Sequence, residues 1–130
     1  MVLVDTSIWI DFFQAPESHT GLVLVSLIKD HNNVALCGIV LQEVLQGIRN
    51  QNSFVLVRER LLKFPFIEAN LDTWLLAASL YRALRAKGIT IPPVDVTIAA
   101  IAIQNDIQLF SRDVHFEEVA LVSDLRLYCV

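Results

Sequence analysis

Val2-Leu3-Val4-Asp5-Thr6-Ser7-Ile8-Trp9-Ile10-Asp11-Phe12-Phe13 is the stretch on which the fold is read. Val2 to Val4 is a short apolar run rich in β-branching that ends on a carboxylate, the pattern of a buried strand stopping at Asp5. Thr6 or Ser7 can cap a following helix, whose apolar stripe then carries Ile8, Trp9, Phe12 and Phe13. Pro16 closes that helix. Ligands of open α/β sheets bind beyond the carboxyl ends of strands, so an acid at this joint stands where function is expected. Capping of the helix behind it is the competing role for Asp5.

The alternation continues along the chain. Leu22 to Lys29 reads as a second helix and Val34 to Cys37 as a second strand. Gly38 leads into a helix from Ile39 to about Asn50, with Leu41, Val44, Leu45 and Ile48 at helical spacing. Another helix runs from about Ser53 to Lys63, and Phe66 to Glu68 is a short strand behind Pro65. Asp72 to Lys87 is a long helix stopped by Gly88. Pro92 and Pro93 precede an alanine-rich helix from about Val94 to Asn105. Gln108 to Phe110 is a strand, Asp113 starts one more short turn of helix, and Arg126 to Tyr128 is a candidate edge strand. Strands alternating with helices predict an α/β fold with a mostly parallel central sheet flanked by helices on both faces. With 130 residues, no repeat and no linker, a single domain over 1–130 is expected.

Composition narrows the function classes. Hydrophobic residues make up 55% and charged residues 18% of the chain, with a mean hydropathy of +0.54, which excludes intrinsic disorder. The longest apolar runs, Val34 to Leu41 and Ile98 to Ile103, fall far short of the roughly 20 residues a membrane span needs. No basic segment precedes the opening apolar run, so neither a secretory signal nor a membrane is expected and the location reads as cytoplasmic. Cys37 and Cys129 form neither a disulfide framework nor a metal-ligand spacing. A net charge of −4 and a pI near 5.2 argue against gripping nucleic acid by bulk electrostatics. The distribution tempers this, because Arg49 to Lys87 holds seven basic against three acidic residues, a net of +4, while the two ends together carry −8.

Four carboxylates fall where such folds work: Asp5, Glu43, Asp95 and Asp113. Glu43 has Ile39 and Gly47 one turn away on either side, so it flanks the apolar stripe of its helix, and alone it reads as an exposed residue. Asp95 and Asp113 are both suited to be N-caps, each with a benefit of about 1 kcal/mol. Asp95 stands at the entrance of Val96 to Ile103, an element too apolar to supply a cation. A buried carboxylate needs a partner, and a metal ion is one.

In combination these motifs resemble the PIN-domain nucleases, and particularly the VapC toxins of prokaryotic toxin–antitoxin pairs. The opening run through Phe13 carries the resemblance, with Leu41-Gln42-Glu43-Val44-Leu45-Gln46-Gly47, Asp95-Val96-Thr97-Ile98-Ala99-Ala100 and Ser111-Arg112-Asp113-Val114-His115-Phe116 following in the family's order. The resemblance spans essentially the whole chain and implies a PIN-like three-layer fold. It also implies an endoribonuclease whose catalytic and metal-binding acids are Asp5, Glu43, Asp95 and Asp113, supported by the hydroxyls of Thr6, Ser7 and Ser111. Two carboxylates about 5 Å apart repel by roughly 3 kcal/mol at an effective dielectric of 20, which divalent cations remove. An all-oxygen set without His or Cys favours Mg²⁺ or Mn²⁺ over zinc. Asp5 and Asp95 are expected as principal ligands, with Glu43 and Asp113 acting directly or through water. The implied partners are an RNA substrate, a VapB-like antitoxin and a second copy of the chain in a homodimer.

Other readings and residues weigh less. A receiver domain needs an acidic pair after its first strand, a haloacid-type phosphatase needs an Asp where Ser7 stands, and a phosphate-gripping loop needs clustered glycines. The remaining alternative is a catalytically inactive PIN-like scaffold that binds RNA or protein. Arg112 and Arg49 are the substrate-contact candidates. His115 reads as a partly exposed structural residue, and His19 and His31 lie in polar stretches without ligand spacing. Trp9, Phe12 and Phe13 read as core or interface, and Trp74 and Tyr81, seven apart on one helix, as a subunit contact.

Overall fold

The computed structural model describes residues 1–30 and 33–129. His31 therefore lies outside the described residues. Strand β1 (Val2–Val4) is buried along its whole length and runs straight into helix α1 (Thr6–Gln14). Helix α2 (His19–Lys29), strand β2 (Val34–Cys37), helix α3 (Gly38–Gln46) and helix α4 (Gln51–Leu61) follow. The second half comprises strand β3 (Phe66–Ile67), helix α5 (Leu71–Ala86), helix α6 (Pro93–Gln104), strand β4 (Gln108–Phe110) and helix α7 (His115–Leu121). The four strands form one parallel sheet in the order β3-β2-β1-β4.

That order decides where a site can form. The chain extends the sheet from β1 to β2 and β3 on one side, then returns to add β4 on the other. The direction therefore reverses between β1 and β4, and the crevice beyond their carboxyl ends is the topological switch point. Val4 pairs with Phe110 and the Asp5 amide donates to the Phe110 carbonyl at 2.9 Å, so Asp5 and Ser111 leave the sheet side by side. The core around these strands is apolar: Leu3, Val4, Leu36, Ile98 and Leu109 are fully buried, and Trp9 stacks on Phe13 and meets Phe12 and Phe64 edge-on. Of the three aromatics read as core or interface, Trp9 lies in the core, and half-buried Phe12 and Phe13 pack against it.

Local capping moved several boundaries. Asn50 caps α4 through its side chain, accepting from the Ser53 amide at 3.0 Å, so α3 ends at Gln46 instead of reaching Asn50. Ser18 caps α2 through the Gly21 amide and starts it three residues before Leu22. Asn70 and Thr73 form a reciprocal capping box that opens α5. Gly88, at φ +80°, terminates α5 as expected, in a conformation costly for any residue with a Cβ. The tail lies along β4: the Leu109 amide donates to the Arg126 carbonyl, and the Tyr128 amide donates to the Leu109 carbonyl. No helix among the described residues is long and apolar enough to cross a membrane.

Candidate metal centre

Asp5 occupies the position before α1, with extended φ and ψ, yet its carboxylate makes no capping bond. The main-chain oxygen receives the Ile8 and Trp9 amides instead, which frees the side chain. That side chain is 6% exposed and accepts from Ser111 Oγ at 2.7 Å and Ser7 Oγ at 3.2 Å, both on Oδ2. Burial pushes its pKa above the ordinary 3.8, the hydroxyl and Thr6 amide bonds hold it down in part, and the nearby Asp113 charge adds to the rise. Ser111 also accepts the Asp113 amide at 3.0 Å, so one hydroxyl fastens the β4 loop to Asp5.

Asp95 is not an N-cap. Pro92 holds the position before α6, Pro93 opens the helix, and Asp95 falls in its first turn. Proline's fixed φ and missing N–H suit the first helical position, so the helix has already begun at Pro93, two residues before Asp95, and the Asp95 amide bonds to the Pro92 carbonyl at 3.0 Å. The Asp95 carboxylate instead points to α7, where His115 Nδ1 lies 3.2 Å from its Oδ2. Burial raises the Asp95 pKa, His115 counteracts, and the charges of Asp113 and Asp5 push it further up. Asp113 is not the N-cap of α7 either, a position that falls on Val114; from one residue further out its Oδ1 accepts the His115 amide at 3.0 Å and faces His115 Nδ1 at 3.3 Å.

His115 is partly exposed, as expected, and its ring sits between the Asp95 and Asp113 carboxylates. Helix α7 runs two turns instead of one, because Phe116 and Val119 are fully buried and seat it in the core. Seating Phe116 turns its neighbour back toward the α6 N-terminus. The Asp95 contact, with further help from the Asp113 charge, raises the His115 pKa above 6.5. A spacing of two from Asp113 was the available signal, but only the packing of α7 on α6 brings the ring to Asp95.

The donor atoms of Asp95, Asp113 and His115 all lie within 4.8 Å of one another. Two carboxylates at that separation repel by about 3 kcal/mol at a dielectric of 20 and about 1 kcal/mol in water. Their partial exposure favours the lower figure. Asp5 is tied to this cluster through Ser111. Glu43 on α3 lies outside that group of three and is held by Thr6, the residue after Asp5, whose Oγ1 donates to its Oε1 at 2.8 Å. Buried Cys37 lies close enough to feel both Asp5 and Glu43; burial is the main cause that holds its thiol neutral, so it serves as packing. Beside the expected carboxylate oxygens the described residues place one imidazole, that of His115. Such a set still fits a hard or borderline divalent cation.

The basic candidates divide. Arg112 turns away from Asp113 and pairs through Nε with Asp11 Oδ2 at 3.2 Å, on the oxygen that also accepts from Thr20 Oγ1 at 2.7 Å. Asp11 had no role in the sequence reading, and it now anchors the β4 loop to α1. Arg49 and Arg60 line a groove of about 470 Å³ that has Glu43 at its wall and Phe13, Val44 and Leu56 among its apolar surfaces. His19 is exposed on α2, apart from these groups.

A family model described as PIN domain matches residues 2–122. Among curated proteins, the chain is 29% identical over 131 residues to Ribonuclease VapC11 of Mycobacterium tuberculosis, with 97% of this chain and 96% of the relative covered. Among solved structures, the DNA-bound VapBC complex of Salmonella typhimurium contains a chain that matches with a TM-score of 0.81 at 15% identity, over 98% of this chain and 96% of that one. VapBC-1 of nontypeable Haemophilus influenzae matches with a TM-score of 0.80 at 19% identity, over 98% and 97%. The acidic groups at the switch point of a parallel sheet and a family match running from β1 through α7 agree: the chain belongs to the PIN-domain family.

Proposed function

We propose that this protein is a divalent-metal-dependent endoribonuclease, the toxin of a VapBC-like toxin–antitoxin pair, built as a single PIN-like domain over 1–130 and working in the cytoplasm. The observation that carries the reading is the convergence of Asp95 and Asp113 within 4.8 Å, beside buried Asp5, at the end of the sheet where α/β folds bind ligands. Curated relatives named ribonucleases and structural neighbours solved as VapBC complexes support the substrate class and an antitoxin partner.

Asp5, Asp95 and Asp113 would hold Mg²⁺ or Mn²⁺, with Glu43 reaching it directly or through water. Such an ion supplies the positive charge that neutralises a scissile phosphate and activates water for in-line attack. The protein's own groups do the remainder. Ser111 and Ser7 hold the Asp5 carboxylate in one orientation, Thr6 fixes Glu43, and the Arg112–Asp11 pair keeps the Asp113 loop against α1. Arg49 beside Glu43 and exposed Arg112 are suited to flanking phosphates of the RNA. This division lets a chain of net charge −4 act on a polyanion. Exposed Leu71, Trp74 and Leu75 on α5, with Tyr81 on the same helix, support a homodimer through that face.

The test is cleavage of total cellular RNA by the purified protein in EDTA, Mg²⁺ and Mn²⁺, with mapped ends. Cleavage that needs the ion and is abolished in folded Asp5→Asn and Asp95→Asn supports the reading. Absence of cleavage under all three conditions favours an inactive scaffold, and cleavage that survives either substitution overturns the site.

A further inference from the structure

We infer that His115 is itself a metal donor, through Nδ1, and that it biases the centre toward Mn²⁺ over Mg²⁺. The inference deepens the proposed function and rests on a divalent ion binding at these acids.

Geometry is the first ground. His115 Nδ1 lies 3.2 Å from Asp95 Oδ2 and 3.3 Å from Asp113 Oδ1, and the three residues offer donor atoms within 4.8 Å of one another. Neighbouring donors on a six-coordinate ion with bonds of about 2.1 Å stand roughly 3 Å apart, so the ring nitrogen already has the spacing of a fellow ligand from each of the two carboxylates. Support from behind is the second ground. Phe116 and Val119 lock α7 into the core, and the His115 amide is bonded to Asp113, so backbone and neighbours fix the ring toward the acids. The chemistry of the donor is the third. Imidazole nitrogen binds first-row transition ions better than it binds Mg²⁺, whereas carboxylates serve both. One nitrogen among oxygens therefore separates Mn²⁺ from Mg²⁺ without excluding either.

The experiment measures ion binding directly, on the intact protein. Mn²⁺ and Mg²⁺ titrations by calorimetry are paired with pulsed electron paramagnetic resonance of the Mn²⁺ complex, in protein carrying ¹⁴N- or ¹⁵N-histidine. The expected wild-type spectrum shows a histidine nitrogen coupled to Mn²⁺ that changes with the isotope. It should vanish in His115→Ala and persist in His19→Ala. The Mn²⁺ Kd of His115→Ala should rise about tenfold while the Mg²⁺ Kd moves less than about twofold, with the circular dichroism spectrum unchanged. A wild-type protein that binds Mn²⁺ without nitrogen coupling overturns the inference and leaves the acidic centre standing. So does an equal loss of both ions in His115→Ala, which would make His115 a positioning group for Asp95. A wild-type protein that binds neither ion overturns the metal-dependent reading and this inference together.

Discussion

Replacing Asp5 by Asn should make the metal-free protein more stable while removing its response to divalent ions. Both hydroxyl donors, Ser111 at 2.7 Å and Ser7 at 3.2 Å, meet the same oxygen, so an amide oxygen in that place keeps both bonds. What disappears is a charge on a side chain only 6% exposed and without a cationic partner in the described residues. Burial raises the Asp5 pKa above 3.8, which means the folded state binds that proton more tightly than the unfolded chain. Its contribution to stability is therefore complete below about pH 3.8, is lost as pH rises through the folded value, and stands as a full penalty at pH 7. Each unit of elevation corresponds to slightly over 1 kcal/mol. For a chain of this size 1 kcal/mol moves Tm by roughly 3–5 °C. Calorimetry in EDTA at pH 7 should then find Asp5→Asn melting above wild type, with the gap closing as the pH falls toward 3.8. At Mn²⁺ a hundredfold above Kd the wild type should gain about 3 kcal/mol. The variant should gain less than a third of that. A well-folded Asp5→Asn protein that melts clearly below wild type in EDTA would refute the reasoning, because the carboxylate would then stabilise the fold instead of being held ready for a cation.

Three further perturbations probe the supports of the site. Phe116→Ala removes a fully buried ring that seats α7 and should cost about 3–5 kcal/mol in chemical denaturation; a cost under about 1 kcal/mol would show that α7 is held elsewhere. Thr6→Val keeps the shape of the side chain but deletes the donor to Glu43, so RNA cleavage should fall about five- to tenfold with Tm nearly unchanged, and unaltered cleavage would mean Glu43 needs no such orientation. Arg112→Ala breaks an exposed ion pair worth less than about 1 kcal/mol, so Tm should hold within a few degrees while KM for RNA rises about threefold; an unchanged KM would confine Arg112 to its bond with Asp11.

Much of this protein follows from local patterns that a linear chain displays. Apolar runs of strand length, helical spacing of Leu41, Val44, Leu45 and Ile48, and the stop at Gly88 specify the alternation of elements, and alternation specifies a parallel sheet with helices on both faces. The acids could be picked out because each stands at the start of a helix, at the end of a strand or beside an apolar stripe. Boundaries were less legible where a side chain chose between two neighbouring helices, as Asn50 did in capping α4 at the expense of α3.

What the chain alone could not decide is which groups meet across it. The register of Val4 with Phe110 puts Ser111 beside Asp5, 106 residues away in sequence, and no local pattern contains that distance. Likewise, the helix start at Pro93 left Asp95 without a capping role, and the burial of Phe116 seats α7 so that His115 meets it. Local sequence determines elements because their periodicities repeat over a few residues. The composition of the site depends on sheet order and helix packing, which bring together side chains whose codons lie far apart, and those are decided only when the whole core closes.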